Sequence, residues 1–358
     1  MSGPENQPKT LIFRLSSMGD IVLSTAALSA LATLRRRADW VSASEYGQLL
    51  EGHPVIDQLI LFDRRSTGML EWIKLCAALA SSGEYEEVLD LHRNIRTRLA
   101  RLIFYVSGSG ARWTSIDKQR LRNLGYFTFK KLWPVAWRPE PVVDLFSRVV
   151  EESAEAKKPL RGRPDLKHMT QDGFSVRTSL GAEFENGYVC VMPSAQWFGK
   201  RWPVDSYVRA LVERSTAGAI ELPIVVMGGK SDVASIELVE KLRNAGRLVC
   251  SGVGRWNLRD AAKVLAHSRL YLGSDTGLAH LTEAVGKPSV IIYGPTSPHA
   301  GFGPWGAESA SVANDLWCSP CGKIGRICFR PVGRFECQKR LPPEQVREAA
   351  LDVIRGSQ

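Results

Sequence analysis

The chain has 358 residues, of which 44% are hydrophobic and 23% charged, and its formal net charge is +10. That length suits two domains better than one core, and the composition is that of an ordinary soluble globular protein. No run of about eighteen apolar residues occurs, which argues against a membrane-spanning helix. The polar start, residues 1–9, carries no apolar signal core, so the chain reads as cytosolic and its seven Cys as thiols.

The first apolar run, residues 10–15, predicts a buried strand. Ser16-Ser17-Met18-Gly19-Asp20 reads as a tight turn, and a helix follows with Ala27, Leu28, Leu31 and Leu34 on one face. Asp20 therefore lies where a strand gives way to a helix. Further strands are expected at 39–43, 58–62 and 87–91, with a helix at 69–81. From residue 93 to 138 the chain holds eleven Lys or Arg and one acid, Asp117, interleaved with aromatics such as Trp113, Phe129, Trp133 and Trp137. A solvated helix face over core aromatics and a docking surface for an anionic lipid both fit this pattern. Nucleic acid is not expected, since no recognised binding motif accompanies the charge.

Residues 151–173 are charged, hold Pro159 and Pro164, and lack periodicity, so the linker is placed there. Strands resume at 188–192, 223–227, 247–250, 270–273 and 289–293. Alternating strands and helices imply parallel sheets. Gly228-Gly229-Lys230-Ser231 resembles the end of a phosphate-binding loop, but Ile224 stands where that loop needs its first Gly. The two glycines still permit close backbone approach to a nucleotide. Ser274-Asp275-Thr276-Gly277-Leu278-Ala279-His280 joins a strand to a helix at 278–285. Free N–H groups there favour an anion. Asp275 is then either a helix cap or an acceptor for sugar hydroxyls beside that anion. Residues 343–355 predict a last helix.

Six stretches carry a family resemblance. They are Arg14-Leu15-Ser16-Ser17-Met18-Gly19-Asp20, His53-Pro54-Val55-Ile56-Asp57, Val88-Leu89-Asp90-Leu91-His92, Pro193-Ser194-Ala195 with Lys200-Arg201-Trp202-Pro203, the Asp275 to His280 loop with Gly286-Lys287-Pro288 and Gly294-Pro295-Thr296, and Cys318-Ser319-Pro320-Cys321-Gly322-Lys323. In this order they resemble the ADP-heptose:lipopolysaccharide heptosyltransferases of glycosyltransferase family 9. Two departures stand out: Ala26 or Ala27 replaces a usual Pro, and Ser194 a usual Gly. Both are compatible with a divergent acceptor preference.

The resemblance implies an α/β GT-B architecture of two Rossmann-like domains facing across a cleft. An acceptor-binding domain is expected at 1–172, a nucleotide-sugar domain at 173–340 and a terminal helix at 341–358. It also implies an ADP-heptose donor, inversion at the anomeric carbon, and a lipid A–Kdo or heptosylated inner-core acceptor at the inner membrane surface. Glycosyl transfer needs a base, and Asp20 is a carboxylate suitably placed. Lys200 suits the leaving diphosphate, with Arg201 as its neighbour. The donor would also meet Ser194, Gly228, Gly229, Asp275, Thr276, Gly277 and His280. The acceptor would meet Ser17, Gly19, Arg93, Arg96, Arg120 and Arg122.

No Asp-x-Asp pair is placed for a divalent metal, so transfer without metal or other cofactor is expected. Cys318, Cys321, Cys328 and Cys337 have spacing that suits zinc or an iron–sulfur cluster, though thiols or a disulfide are the favoured reading. A related enzyme using another nucleotide sugar is the nearest alternative. A nucleotide-binding module without transfer activity is the alternative from another class, and Asp20, Lys200 and Asp275 together argue against it.

Overall fold

Strand β1 (Thr10–Phe13) is buried at every position, as its unbroken apolar run requires. A strand covered by helices on both faces has no polar side, and this marks parallel sheets. β2 (Ala38–Ala43) and β4 (Glu87–Asp90) are likewise buried throughout. β3 (Ile56–Phe62) and β5 (Arg112–Ser115) are partly exposed. Those two form the edges of a five-stranded sheet of order β3-β2-β1-β4-β5, parallel at every pairing.

The second sheet contains β6 (Val189–Met192), β7 (Ile224–Gly228), β8 (Val249–Val253), β9 (Leu270–Ser274), β10 (Ser289–Tyr293) and β11 (Ala310–Ala313). Its order is β11-β10-β9-β6-β7-β8, again all parallel. Strand order reverses between β1 and β4 in one sheet and between β6 and β9 in the other. Doubly wound sheets bind ligands outside the carboxyl ends of strands at such a reversal.

This is a computed structural model describing residues 8–171, 173–322 and 324–356. Residues 1–7, the boundary residue Asp172, Lys323 of the sixth motif and residues 357–358 lie outside the described residues. Two compact units emerge. One takes the residues up to Lys118 with Val142–Met169, and the other takes Gln119–Pro141 with the residues from Thr170 on. The first core gathers Leu11, Phe13, Val41, Trp72, Val88 and Phe104. The second gathers Val191, Trp202, Tyr207, Val226, Leu272 and Ile292, and the helix Pro343–Gly356 adds Val346, Ala350 and Leu351. Each large apolar side chain so buried contributes about 1.5–3 kcal/mol before conformational entropy is counted.

Several expectations need correction. The first helix begins at Met18 (Met18–Thr33), so Asp20 lies inside its first turn rather than before it, and Leu34 is its C-cap. β3 starts at Ile56, and β8 runs on to Val253. Edge strands β5 and β11 went unread because four half-exposed residues carry no apolar run. The basic segment was assigned wholly to the first half, but Gln119–Pro141 belongs to the second unit. It is tied there by the Tyr126 hydroxyl, which meets Ser297 Oγ at 2.8 Å.

Candidate active site

In the first unit the reversal brings the ends of β1 and β4 side by side. Asp20, third residue of the first helix, accepts from the Ser17 hydroxyl at 2.8 Å and from the Ser17 backbone N–H at 3.3 Å. The capping role is therefore present. It does not exhaust the carboxylate, because Arg14 also reaches it, with Nη2 2.9 Å from Oδ2. All three contacts fall on Oδ2, and among the described residues no hydrogen bond reaches Oδ1. Burial opposes the Asp20 charge, but the Arg14 guanidinium and the two Ser17 bonds outweigh it, so the carboxyl titrates below its ordinary value.

Two neighbours of Asp20 were not assigned a role from sequence. Arg14 is buried, donates from Nη1 to the Leu91 carbonyl at 2.5 Å and lies over the Phe146 ring. His92 follows β4, and burial together with the Arg14 and Lys118 charges pulls its pKa down to about 3. Its ring is therefore neutral near neutral pH, and its Nδ1 is buried without a hydrogen-bond partner among the described residues. The signal for both was the same as for Asp20: polar residues at the carboxyl end of a central strand.

The proposed acceptor residues divide between the units. Ser17 and Gly19 flank Asp20. Arg93 donates to the Ile116 carbonyl at 3.0 Å, and Arg96 donates to the Thr67 carbonyl at 3.0 Å while lying over Phe62 and Trp72. Arg120 and Arg122 fall in the second unit, where Arg122 pairs with Glu140 at 2.8 Å. The aromatics divide too. Phe104, Trp113 and Phe13 pack together in the first core, with Trp113 stacked 5.7 Å from Phe13.

In the second unit the reversal lies between β6 and β9. Asp275 follows β9 and is 8% exposed. Lys200, from a short turn Phe198–Lys200, donates to Asp275 Oδ2 at 2.6 Å and approaches the Asp275 carbonyl at 3.4 Å. An ammonium has three donors, so this pairing leaves capacity for an anion. Gly199 is required at its position, since a Cβ there would fall 2.3 Å from the Gly325 carbonyl oxygen. Arg201 donates to the Ala195 carbonyl at 2.8 Å and so braces the loop after β6.

Thr276 is the N-cap of the helix Gly277–Ala284, with extended backbone and no side-chain cap bond. Its hydroxyl meets the Tyr271 hydroxyl at 3.1 Å instead. Asp275 does not cap this helix either, because Lys200 holds it. The first-turn N–H groups thus keep the character of an anion seat. His280 is buried, with Nε2 3.9 Å from Asp275 Oδ1. Ser194 hydrogen-bonds Asp232, which caps the helix Val233–Asn244 and was not singled out from sequence. Gly228 serves packing: a Cβ there would meet Ser235 Oγ at 2.6 Å. Gly229 has nothing within 4 Å of that position.

The four C-terminal Cys line one small cavity with Pro295, Phe335 and Glu336. All are free thiols, and burial pushes Cys337 up to about 12. Among the described residues no group of three or more His, Cys, Asp or Glu is placed to hold a metal ion.

Comparison with known proteins bears on this arrangement. Residues 81–328 match the family model described as glycosyltransferase family 9 (heptosyltransferase). The chain is 46% identical over 313 residues to lipopolysaccharide heptosyltransferase 1 of Salmonella typhimurium, covering 81% of this chain and 89% of that one. It is 25% identical over 328 residues to the Pseudomonas aeruginosa protein of the same name, covering 88% and 86%. Its fold matches that of E. coli ADP-heptose lps heptosyltransferase II with a TM-score of 0.67 at 17% identity, over 97% of this chain and 99% of the other.

Proposed function

Since the chain belongs to glycosyltransferase family 9 and is a heptosyltransferase of lipopolysaccharide core biosynthesis with the GT-B fold, we propose that it moves heptose from ADP-heptose to lipid A–Kdo or a heptosylated inner core, with inversion and without a metal. The acceptor oxygen attacks the anomeric carbon from the face opposite the diphosphate. The new C–O bond forms as the bond to the diphosphate breaks. The hydroxyl proton passes to Asp20, and ADP leaves with the electron pair.

The observation that carries this reading is the state of Asp20. It is a carboxylate held ionised by Arg14 and Ser17, and among the described residues none of its hydrogen bonds falls on Oδ1. Such a group is positioned yet still able to take a proton. In the second unit, Lys200 and the N-terminus of the helix Gly277–Ala284 supply positive charge where the diphosphate would sit. Asp275 then has oxygens for sugar hydroxyls. Ser194, Thr276, Gly277 and His280 are proposed to meet the donor as well, with Arg201 bracing the loop after β6.

The acceptor is a lipid, so the enzyme is proposed to work at the cytoplasmic face of the inner membrane. No described helix is long and apolar enough to cross a membrane. A peripheral, electrostatic attachment is therefore proposed, through basic residues of the segment 93–138. Mass spectrometry of lipopolysaccharide from a deletion strain tests the whole reading. A core truncated at one heptose identifies the reaction and its acceptor. An unchanged core overturns it.

A further inference from the structure

Among the exposed apolar side chains of the second unit, two groups stand in stretches far apart in the sequence. In Gln119–Pro141, Leu121, Leu132 and Trp137 are 83%, 87% and 63% exposed. In residues 315–322 and 324–332, Trp317, Phe329 and Val332 are 74%, 78% and 80% exposed. Single exposed apolar residues are commonplace, whereas a joined set is not.

The two stretches are joined. The Lys130 ammonium lies 5.7 Å over the Trp317 ring, and Lys131 pairs with Asp315. The first stretch is also stiffened from within. Trp133 stacks on Phe129 at 5.6 Å and donates from Nε1 to the Trp137 carbonyl at 2.8 Å. Its ring lies so close over Gly125 that a Cβ there would meet it at 2.3 Å. The segment therefore half-buries Trp133 against itself and still leaves Leu121, Leu132 and Trp137 outward.

The same stretches carry cations: Arg120, Lys130 and Lys131 in the first and Arg326 in the second, with Lys130 and Lys131 at their junction. Aromatic and aliphatic side chains among Lys and Arg match a bilayer interface with anionic headgroups, in apolar character and in charge. A groove of about 270 Å³, lined by Leu121, Trp133, Ala136 and Trp137 with Arg122, deepens the same surface.

We propose that the segment 120–137 and residues 315–322 and 324–332 of the second unit form one surface that seats the enzyme on an anionic bilayer. This rests on the proposed lipid acceptor and extends it. The anchor includes the C-terminal loop, which the charge pattern of the sequence does not mark.

The test is vesicle flotation of the full chain on phosphatidylethanolamine–phosphatidylglycerol vesicles and on phosphatidylcholine vesicles, at low and high salt. The wild type should float with the anionic vesicles at low salt and be released by salt. The combined variant Trp317→Ser, Phe329→Ser, Val332→Ser should lose about tenfold or more in vesicle affinity, as removal of interfacial side chains does. Its turnover of a water-soluble, deacylated acceptor should stay normal, which establishes that it folds. Brominated lipids should quench Trp fluorescence in the wild type, and less in Trp317→Phe.

If the loop variant binds vesicles normally while Lys130→Gln, Lys131→Gln does not, the loop is no part of the seat. Equal wild-type binding to phosphatidylcholine, or none to either vesicle, also overturns the proposal. Failure to transfer heptose to any lipid acceptor is a separate result that overturns the proposed function itself.

Discussion

Lys200 Nζ lies 2.6 Å from Asp275 Oδ2, so the cation and the carboxylate proposed for the donor hold each other. Both are largely buried, with side chains 15% and 8% exposed. The pair arises because Lys200 follows β6 and Asp275 follows β9, neighbours at the strand-order reversal. It keeps the ammonium aimed at the turn where the helix Gly277–Ala284 begins.

Lys200→Ala should weaken both ADP-heptose binding and turnover. Charge on the diphosphate grows as it leaves, and one such contact is worth about 2–4 kcal/mol in a closed site. Asp275 would also be left buried and unpaired, a further penalty. Titration calorimetry with ADP and steady-state kinetics check this. Unchanged constants would move the phosphate role to Arg201.

Asp20→Asn should lower turnover roughly 100- to 10,000-fold while ADP-heptose still binds. The amide keeps the size of the side chain and loses the ability to take a proton. Lost donor affinity, or near-normal turnover, would remove Asp20 from the role of base.

The acid limb of the rate profile should report Asp20. Its carboxyl titrates below the ordinary range, so activity should hold through neutral pH and fall only as pH drops through that lowered pKa. Arg14→Met removes the charge that opposes burial, and the acid limb should then move to higher pH. A limb that stays put in Arg14→Met would mean that another group controls it. His92, at about 3, should add no limb near pH 6.5.

Stability should decline in mild acid. His53 titrates at about 4 in the fold instead of 6.5, because burial and then His168 oppose its charge. The unfolded chain therefore binds this proton first, and stability is lost as pH falls from about 6.5 towards about 4. The contribution is on the order of 3 kcal/mol. Urea unfolding at pH 7.5 and pH 5 should show the loss in the wild type and a smaller one in His53→Gln. Equal slopes in the two proteins would refute it.

Activity should survive EDTA. Lys200 and the helix N–H groups are proposed to stabilise the diphosphate without a divalent ion. Loss restored by magnesium or manganese would reveal a metal role. Loss restored only by zinc would direct attention to Cys318, Cys321, Cys328 and Cys337.

The alternation of apolar runs with helical stretches identified the central strands, because a buried parallel strand is apolar on both faces. The same rule missed β5 and β11, which are short edges exposed on one side. Asp20, Lys200 and Asp275 stood out as candidates because each follows a central strand, Lys200 and Asp275 in the connecting segment and Asp20 inside the first helical turn. Arg14 and His92 stood in equally informative places, but their roles depend on partners reached across the sheet. The start of the first helix was misplaced by three residues because Ser17 caps it and Asp20 answers that cap from inside the turn.

What the sequence determined by itself is local: two α/β halves, the loops at their strand ends, and the residue types those loops carry. Periodicity and turn chemistry act over a few residues, so they can be read along the chain. What only the tertiary structure decided is which distant residues meet. Strand order sets Arg14 and Asp20 near the end of β4, and Lys200 against Asp275. Packing of Gln119–Pro141 onto the second unit sets Lys130 against Trp317, and with it the membership of the apolar surface. Such pairings follow from how the sheets are wound and which faces they bury, and no stretch of sequence contains that information alone.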